Sequence, residues 1–133
     1  MSLNGRKILV VDDHPTNLKL AASLLESEGC RVTQAMDAEE AQEVIKREPP
    51  ELILMDLALP GMDGLTLTKL LKADPATRSI VIAALTAFAM KGDEAKAREA
   101  GCDGYIAKPI DTRKFPQQVE DLLGLKNRPG PSS

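Results

Sequence analysis

Five short runs of aliphatic residues alternate along the chain with stretches in which apolar residues recur every three or four positions. A short apolar run is typical of a buried strand, and the longer period is typical of a helix packed on one side. The pattern therefore predicts five strands separated by helices. We place these strands at Lys7 to Val11, Arg31 to Ala35, Glu51 to Asp56, Ser79 to Thr86 and Tyr105 to Ala107.

The composition of these runs predicts how the strands are arranged. The first, third and fourth runs are apolar almost throughout, which is typical of central strands covered on both faces. The second run alternates polar and apolar residues, as an edge strand does. A regular alternation of strands and helices favours a parallel, doubly wound α/β sheet.

Local signals give the ends of the helices. Pro116 cannot lie deep inside a helix because it has no amide proton, so the last helix is expected to begin near Phe115. Asp37 and Glu40 have the spacing of a capping box, which predicts the start of the second helix. The other helices are expected from Pro15 to a stop at Gly29, from Leu65 to Asp74 and from Asp93 to Ala100.

Length and charge narrow the class of protein. A chain of 133 residues with 43% hydrophobic content suffices for one core, which we expect to span residues 6–124. Residues 1–5 then form an N-terminal extension, and 125–133 form a disordered tail or the stub of a linker. The net charge of -3 argues against a nucleic-acid surface.

The chain has no signal for a membrane or for metal-binding cysteines. No apolar stretch approaches the roughly 20 residues of a membrane span, so we expect no membrane partner and a cytoplasmic location. Cys30 and Cys102 lie outside any Cys-x-x-Cys pattern, so they are interpreted as buried or idle thiols.

Chemistry-bearing residues follow the ends of four predicted strands. Asp12 and Asp13 end the first, Asp56 ends the third, Thr86 ends the fourth, and Lys108 follows the fifth. The carboxyl ends of parallel strands share one edge, so these side chains are expected to converge. At about 4 Å and an effective dielectric near 20, each pair of carboxylates would repel by roughly 4 kcal/mol. A cation is therefore expected, and oxygen ligands favour Mg²⁺ or Mn²⁺.

Asp56 is the predicted nucleophile, because it stands alone at the end of a central strand and is followed by a Pro-Gly loop. A carboxylate that attacks phosphorus gives an acyl phosphate, and the metal, Lys108 and the Thr86 hydroxyl would neutralise the phosphoryl oxygens. Taken singly, each Asp and Thr86 would more often be a helix cap, so the hypothesis depends on their combination.

Three further polar residues have structural interpretations when they are read alone. His14, the only histidine, is interpreted as a solvated residue beside a cap and is given no role. Asp63 lies in a Gly-rich loop and is interpreted as a turn or cap residue rather than as a metal ligand. Tyr105, on an outer strand, is more often a packing residue.

Together the motifs are recognisable. They are Val10-Val11-Asp12-Asp13, Leu54-Met55-Asp56-Leu57 with Pro60-Gly61-Met62-Asp63-Gly64, Ala84-Leu85-Thr86-Ala87, and Tyr105-Ile106-Ala107-Lys108-Pro109. The chain resembles the receiver domain of two-component response regulators over about Arg6 to Leu123. The resemblance implies a flavodoxin-like fold with five helices and a five-stranded parallel sheet in the order 2-1-3-4-5.

The resemblance also implies a set of roles around one phosphorylated residue, Asp56. Mg²⁺ would be held by Asp13, Asp56 and the carbonyl of Ala58, and Asp12 would act through a metal-bound water. Thr86 and Lys108 would bind the phosphoryl oxygens, and the Lys108-Pro109 peptide bond would be cis.

The same resemblance implies a signal. When Asp56 is phosphorylated, Thr86 would move toward the phosphoryl group and Tyr105 would turn inward. A downstream protein would then read the changed surface of helix 4, strand 5 and helix 5. Ala58 and Phe88 would flank the phosphoryl group and influence its lifetime. Catalysis would be limited to the domain's own phosphorylation and dephosphorylation. The protein would be a monomer or would dimerise when it is phosphorylated.

The expected phosphoryl donor is a histidine kinase or a histidine phosphotransfer protein. Leu20 and Leu24 lie one turn apart on the side of helix 1 away from the predicted core, which suits docking of a helical partner. The alternative is that they are two tolerated surface leucines.

Three other functions share part of this pattern. The chain is first interpreted as a stand-alone receiver, and the alternative is a receiver from a longer hybrid kinase or multidomain regulator. A phosphatase of the haloacid dehalogenase type also uses an Asp nucleophile and Mg²⁺, but that family places Asp-x-Asp after its first strand, where this chain has adjacent acids. A binding module that never accepts phosphate is disfavoured because every acceptor-site residue is present.

Overall fold

A computed structural model describes residues 3–59, 61–86 and 91–126, and within these ranges five strands alternate with five helices. The strands are β1 (Lys7–Val11), β2 (Arg31–Ala35), β3 (Leu52–Asp56), β4 (Val81–Thr86) and β5 (Gly104–Ala107). The helices are α1 (Pro15–Ser27), α2 (Ala38–Arg47), α3 (Gly64–Ala73), α4 (Lys91–Ala100) and α5 (Phe115–Lys126).

All neighbouring strands pair in parallel, in the order β2-β1-β3-β4-β5. This order confirms the predicted doubly wound sheet and the flavodoxin-like topology. The strand order changes direction between β1 and β3, and in open α/β sheets the crevice at such a point is where ligands bind. The ends of β1 and β3 carry Asp12 and Asp56.

Both faces of the sheet are covered, because successive side chains of each strand point to opposite sides. On one face Val10 and Leu54 pack with residues of α1 and α5, including Phe115. On the other face their neighbours Leu9 and Ile53 pack with residues of α2, α3 and α4. This double burial explains why the central strands are apolar throughout.

The folded unit extends beyond residues 6–124. Leu3 is buried in the α1/α5 side of the core, and its carbonyl oxygen accepts a hydrogen bond from the Cys30 thiol at 3.4 Å. At the other end α5 continues to Lys126. The rest of the expected tail, 127–133, lies outside the described residues.

One strand begins later than predicted. β4 starts at Val81 rather than Ser79, because residues 77–80 form a turn in which the Ile80 amide donates to the Thr77 carbonyl at 3.0 Å. The Lys72 ammonium secures this turn by donating to the carbonyls of Arg78 and Ile80 at 3.1 and 2.8 Å. The other strand boundaries agree with prediction to within one residue.

Side-chain caps begin two of the helices as predicted. Asp37 accepts a hydrogen bond from the Glu40 amide at 2.8 Å, and the Glu40 carboxylate accepts one from the Met36 amide at 3.2 Å. Asp63 accepts from the Thr66 amide at 2.8 Å, which confirms its interpretation as a cap. Among the described residues, no helix is long and apolar enough to cross a membrane.

Gly64 determines how closely α3 approaches the end of β3. A Cβ atom at this position would overlap the carbonyl oxygen of Asp56 and would lie 3.0 Å from the Cα atom of Leu57. Only glycine lets the first residue of α3 pack directly against the segment that carries Asp56.

Candidate functional site

Three acidic residues meet at the carboxyl edge of the sheet. Asp12 follows β1 and Asp56 ends β3, and they are only 1% and 3% exposed. Asp13, one residue further along, is partly exposed. Potential ligand atoms of these three residues and of His14 all lie within 4.8 Å of one another. The convergence expected from parallel strand ends is therefore present.

Lys108 bridges the two buried carboxylates. Its Nζ atom lies 2.7 Å from Oδ2 of Asp12 and 3.2 Å from Oδ2 of Asp56. The Lys108-Pro109 peptide bond is cis, as the resemblance implies. The two distances place the ammonium group between two carboxylates that would otherwise repel each other.

The two buried carboxylates are not electrostatically equivalent. Burial would raise the pKa of Asp12, but hydrogen bonds from Lys108 and from the His14 backbone amide, together with other favourable interactions, hold that pKa below its usual value. Burial also raises the pKa of Asp56, and there the Ala58 amide and Lys108 only partly offset the effect. Asp12 thus forms a stable ion pair with Lys108, whereas the interactions around Asp56 do not fully offset the cost of burying its negative charge.

The Lys108 ammonium is held in its charged form by the same contacts. Burial alone would lower its pKa, but the hydrogen bond to Asp12 and the charge of Asp56 outweigh burial, so the pKa of Lys108 lies above its usual value. A permanent positive charge therefore faces the Asp56 carboxylate.

The loop after β3 orients Asp56. The Ala58 amide donates to Oδ1 of Asp56 at 3.0 Å, which leaves Oδ2 on the side of Lys108. Ala58 itself is exposed and lies close in sequence to the acidic cluster. Participation of its carbonyl as a metal ligand stays a prediction.

Thr86 and Tyr105 lie on neighbouring strands, β4 next to β3 and β5 at the edge of the sheet. Thr86 is the last residue of β4 and is buried, and its carbonyl accepts a hydrogen bond from the Lys108 amide at 2.7 Å. Tyr105 in β5 is half-buried and packs against the α2/α3/α4 side of the core. Its packing interpretation thus has support, whereas the switch role of both residues stays a prediction. Phe88 lies outside the described residues.

The acidic cluster fits a hard divalent cation. Within the described part of the chain, Oδ1 of Asp13 is buried and has no hydrogen-bond partner. Nδ1 of His14 lies 3.1 Å from it but is not aligned for a hydrogen bond. A buried carboxylate oxygen without a partner is costly, and a cation would satisfy it. Carboxylate oxygens are the ligands that Mg²⁺ prefers.

A cavity of about 380 Å³ adjoins the site, and we call it the α1–β5 groove. Leu20, which is 39% exposed, lies on its α1 side. The remaining lining residues are Asn17, Lys108, Pro109 and Ile110. The groove thus connects an exposed leucine directly with a residue of the acidic site.

The expectation for Leu24 was wrong. Leu24 is half-buried and packs against the α1/α5 side of the core, so it does not share the exposure of Leu20. On a helix, position 24 is next to the buried positions 21 and 25, which places it on the flank of the core-facing stripe. Of the predicted two-leucine strip, Leu20 is the exposed member.

His14 is a residue whose proximity to the acids was missed. Its side chain is 67% exposed, in line with a solvated residue, yet Nδ1 lies 3.1 Å from Oδ1 of Asp13 and 3.3 Å from Oδ1 of Asp12. The available signal was its position directly after the acidic pair.

Comparison with known proteins gives a consistent picture. Residues 8–120 match the response regulator receiver domain family. Polar-differentiation response regulators DivK from Brucella anthropi and Brucella ovis are each 40% identical over 119 residues, which cover 90% of this chain and 97% of the relative.

Two solved structures are similar in fold and sequence. A CheY-like response regulator receiver domain protein from Methanospirillum hungatei superposes with a TM-score of 0.84 at 30% identity, covering 96% of this chain and 100% of the other. The receiver domain of sensor histidine kinase PA1611 from Pseudomonas aeruginosa gives a TM-score of 0.82 at 35% identity, covering 90% and 98%. That structure has a magnesium ion coordinated in its active site cleft.

Proposed function

Because the chain belongs to the response regulator receiver domain family, we propose that it accepts a phosphoryl group on Asp56 in a Mg²⁺-dependent reaction. The donor is a phosphohistidine of a sensor kinase or phosphotransfer protein. One observation carries the proposal. Asp56 is a buried carboxylate with a raised pKa, and it lies 3.2 Å from a lysine ammonium and beside further acids.

In the proposed step, a carboxylate oxygen of Asp56 attacks phosphorus while the phosphorus–nitrogen bond of the donor breaks. The electron pair of that bond leaves with the imidazole, and the product is an aspartyl phosphate. Asp13, Asp56 and the carbonyl of Ala58 would hold Mg²⁺, which neutralises charge on the phosphoryl oxygens when it is bound.

The protein's own groups position the reacting carboxylate. The Ala58 amide holds Oδ1 of Asp56, and Lys108 lies on the side of Oδ2. The Lys108 charge is therefore already in place for the phosphoryl oxygens. Because such positioning and charge neutralisation account for most of the catalysis in phosphoryl transfer, few other groups are needed.

The output signal proposed for phosphorylation passes through Thr86 and Tyr105. The Thr86 hydroxyl would move toward the phosphoryl group, and Tyr105 would turn inward and alter the α4, β5 and α5 surface that a downstream protein reads. A backbone hydrogen bond from the Lys108 amide to the Thr86 carbonyl supports the location of this switch, because it holds the ends of β4 and β5 together beside the acidic site.

Tyr105 offers a direct test of this switch. The chain has one tyrosine and no tryptophan, so its intrinsic emission reports Tyr105 alone. Beryllofluoride with Mg²⁺ should change that emission in the native protein and leave it unchanged in Asp56→Asn. Unaltered Tyr105 emission in a native protein that demonstrably binds beryllofluoride would contradict the switch.

The phosphohistidine donor is proposed to dock at the α1–β5 groove. An exposed Leu20 beside Pro109 and Ile110 provides an apolar contact next to Lys108, which suits a helical partner. Leu20→Glu should slow transfer from a phosphohistidine donor but leave labelling by acetyl phosphate intact. Leu70→Glu is the matched control, since Leu70 is 47% exposed on α3 and does not line the groove. The docking site would be refuted if both variants slowed transfer from phosphohistidine equally. It would also be refuted if Leu20→Glu reduced transfer from phosphohistidine and labelling by acetyl phosphate to the same extent.

Alternative functions have less support. The relatives include both DivK regulators and a receiver of a sensor kinase, so a stand-alone receiver and a receiver within a longer chain are both compatible. The adjacent acids after β1 still disfavour a haloacid dehalogenase-type phosphatase, which rapid turnover of a general phosphoester would revive. Cytoplasmic location, absence of nucleic-acid binding, and a monomer or phosphorylation-dependent dimer stay predictions.

Intact mass spectrometry tests phosphoryl acceptance. Incubation with acetyl phosphate and Mg²⁺ should add one phosphoryl group, and the adduct should be absent after chelation of the metal or in Asp56→Asn. Asp63→Asn is the matched control, because it makes the same chemical change at a nearby cap and asparagine also caps helices. An adduct that persists in Asp56→Asn would overturn the assignment.

A further inference from the structure

The side chain of His14 lies over the acidic cluster in a position that phosphorylation itself does not require. Its Nδ1 atom is 3.1 Å from Oδ1 of Asp13 and 3.3 Å from Oδ1 of Asp12. We propose that His14 is an additional metal ligand, which makes this site select divalent ions that accept nitrogen, such as Zn²⁺, Co²⁺ and Ni²⁺. The inference rests on the cation site of the proposed function.

The separations match those of two atoms bound to one ion. Zinc lies about 2.1 Å from a histidine nitrogen and from a carboxylate oxygen. Two such ligands are therefore about 3.0 Å apart at a right angle and about 3.4 Å apart at the tetrahedral angle. Nδ1 of His14 and Oδ1 of Asp13 already have such a spacing, so both can reach a shared ion with little movement.

Existing contacts show which acids are available to such an ion. Asp12 is already occupied, because Oδ1 accepts the His14 backbone amide at 2.9 Å and Oδ2 accepts Lys108 at 2.7 Å. Among the described residues, Oδ1 of Asp13 has no hydrogen-bond partner. Asp13 is therefore the acid expected to join His14 around the ion, with Asp56 as the further ligand that the proposed function already assigns.

The backbone holds the imidazole close to these acids while the ring stays accessible. His14 is the extended N-cap residue of α1, and its amide is bonded to Asp12. The side chain as a whole is 67% exposed, so an ion can approach the ring from solvent. Coordination consequently needs no backbone change, and it replaces only the 3.3 Å contact between Nδ1 and Oδ1 of Asp12.

The chemistry of the ligand explains the expected selectivity. Mg²⁺ is a hard ion that keeps oxygen ligands and several waters, so an added imidazole increases its binding affinity very little. Affinity for first-row ions rises from Mn²⁺ through Co²⁺ and Ni²⁺, and imidazole suits Ni²⁺ and Zn²⁺. An all-oxygen site follows the same order, and an added imidazole nitrogen increases the difference between these ions and Mg²⁺. His14 would thus separate the affinity for zinc from the affinity for magnesium.

Calorimetric titration of metal-stripped, tag-free protein with Zn²⁺ and with Mg²⁺ tests the proposal. His14→Gln should weaken zinc binding by about tenfold or more and change magnesium binding by less than about twofold. Asp13→Asn should weaken binding of both ions. Thr16→Ala is the matched control, because Thr16 is exposed in the same segment and should alter neither affinity.

Nitrogen NMR supplies an independent readout. The chain has a single histidine, so its imidazole resonances need no assignment by mutation. The Nδ1 resonance should shift on addition of diamagnetic Zn²⁺ and stay in place with Mg²⁺. An Nδ1 resonance unmoved by bound zinc, or a wild-type ratio of zinc to magnesium affinity in His14→Gln, would overturn the role of His14.

The two proposals fail in distinguishable ways. If Mg²⁺ binds and Asp56 is phosphorylated while His14→Gln keeps full zinc affinity, the His14 inference alone is overturned. If neither ion binds the native protein, or if Asp13→Asn leaves magnesium affinity unchanged, the cation site of the proposed function is overturned as well.

Discussion

Replacing Lys108 with methionine should destabilise the metal-free protein by about 4 kcal/mol. Methionine keeps much of the length of the lysine side chain but removes the charge that lies between Asp12 and Asp56. Both carboxylates are buried, so water cannot replace the missing cation. The substitution therefore leaves two uncompensated acids next to each other.

The magnitude follows from two distances. At an effective dielectric of about 20, attraction over 2.7 Å to Asp12 is about 6 kcal/mol, and attraction over 3.2 Å to Asp56 is about 5 kcal/mol. Much of this is offset by the cost of dehydrating the ammonium, whose side chain is only 13% exposed. Removing one partner of a buried ion pair typically costs about 3–5 kcal/mol, which is a large share of a domain's total stability.

Urea unfolding with and without Mg²⁺ measures this effect. Saturating Mg²⁺ should restore part of the stability of Lys108→Met, because a bound cation stabilises the folded state by mass action. The double variant Lys108→Met/Asp56→Asn should also recover stability, since it has one fewer buried charge. Lys72→Met is the control, because Lys72 pairs with the partly exposed Asp103 and is not part of the acidic cluster.

Two results would refute the reasoning behind this prediction. The first is a loss below about 1 kcal/mol for Lys108→Met, which is the scale of an exposed ion pair. The second is an equal gain in stability from Mg²⁺ in Lys108→Met and Lys72→Met, which would mean that removing the Lys108 charge leaves the affinity of the acidic cluster for the ion unchanged.

Two further predictions concern the packing and the thiol. Gly64→Ala should cost roughly 1–3 kcal/mol in chemical denaturation, because its Cβ would overlap the Asp56 carbonyl oxygen. Gly124→Ala, in an open position of α5, should instead be neutral or stabilising, and equal effects of the two would contradict the packing. Burial raises the pKa of the Cys30 thiol from 9.0 to about 11, so the folded protein keeps this proton after the unfolded chain has lost it. The stabilisation is therefore complete below pH 9 and is lost as the pH rises to 11. The difference in unfolding free energy between the native protein and Cys30→Ala should fall by about 2 kcal/mol across that range, and a constant difference would disprove the effect.

Much of the fold followed from burial on two faces. β1 and β3 are covered by helices on both sides, so they had to be continuous apolar runs, which is a pattern visible in a single sequence. The start of β4 could not be predicted in the same way. It depends on Lys72, which reaches back to two backbone carbonyls and also pairs with Asp103, a residue 31 positions away. Such long-range contacts leave no local pattern.

The candidate site was predictable only as far as topology decides it. Residues at the carboxyl ends of parallel strands must meet, and this brought Asp12, Asp56 and Lys108 together. Sequence alone could not show that the pKa of Asp12 is lowered and that of Asp56 is raised. The difference depends on how each carboxylate oxygen is placed relative to Lys108 and to the backbone amides.

Two surface details also depended on side-chain direction. Helical periodicity placed Leu24 outside the buried stripe, but a long side chain at the flank of a stripe leans onto the core, as Leu24 does. His14 follows Asp13 directly, and only the geometry of the loop shows that its ring turns back over the acids. The spacing of residues along the chain predicts neither the packing of Leu24 nor the position of the His14 ring.

Chemical identification of the phosphorylated residue is the most direct test of phosphoryl acceptance at Asp56. Borohydride reduces an aspartyl phosphate to homoserine, with loss of phosphate, so peptide mass spectrometry after reduction locates the acyl phosphate. We expect homoserine at position 56 alone, and only in protein that was incubated with a phosphodonor and Mg²⁺. Homoserine at Asp12 or Asp13, or its absence from a protein that carries one added phosphoryl group, would contradict the proposed chemistry.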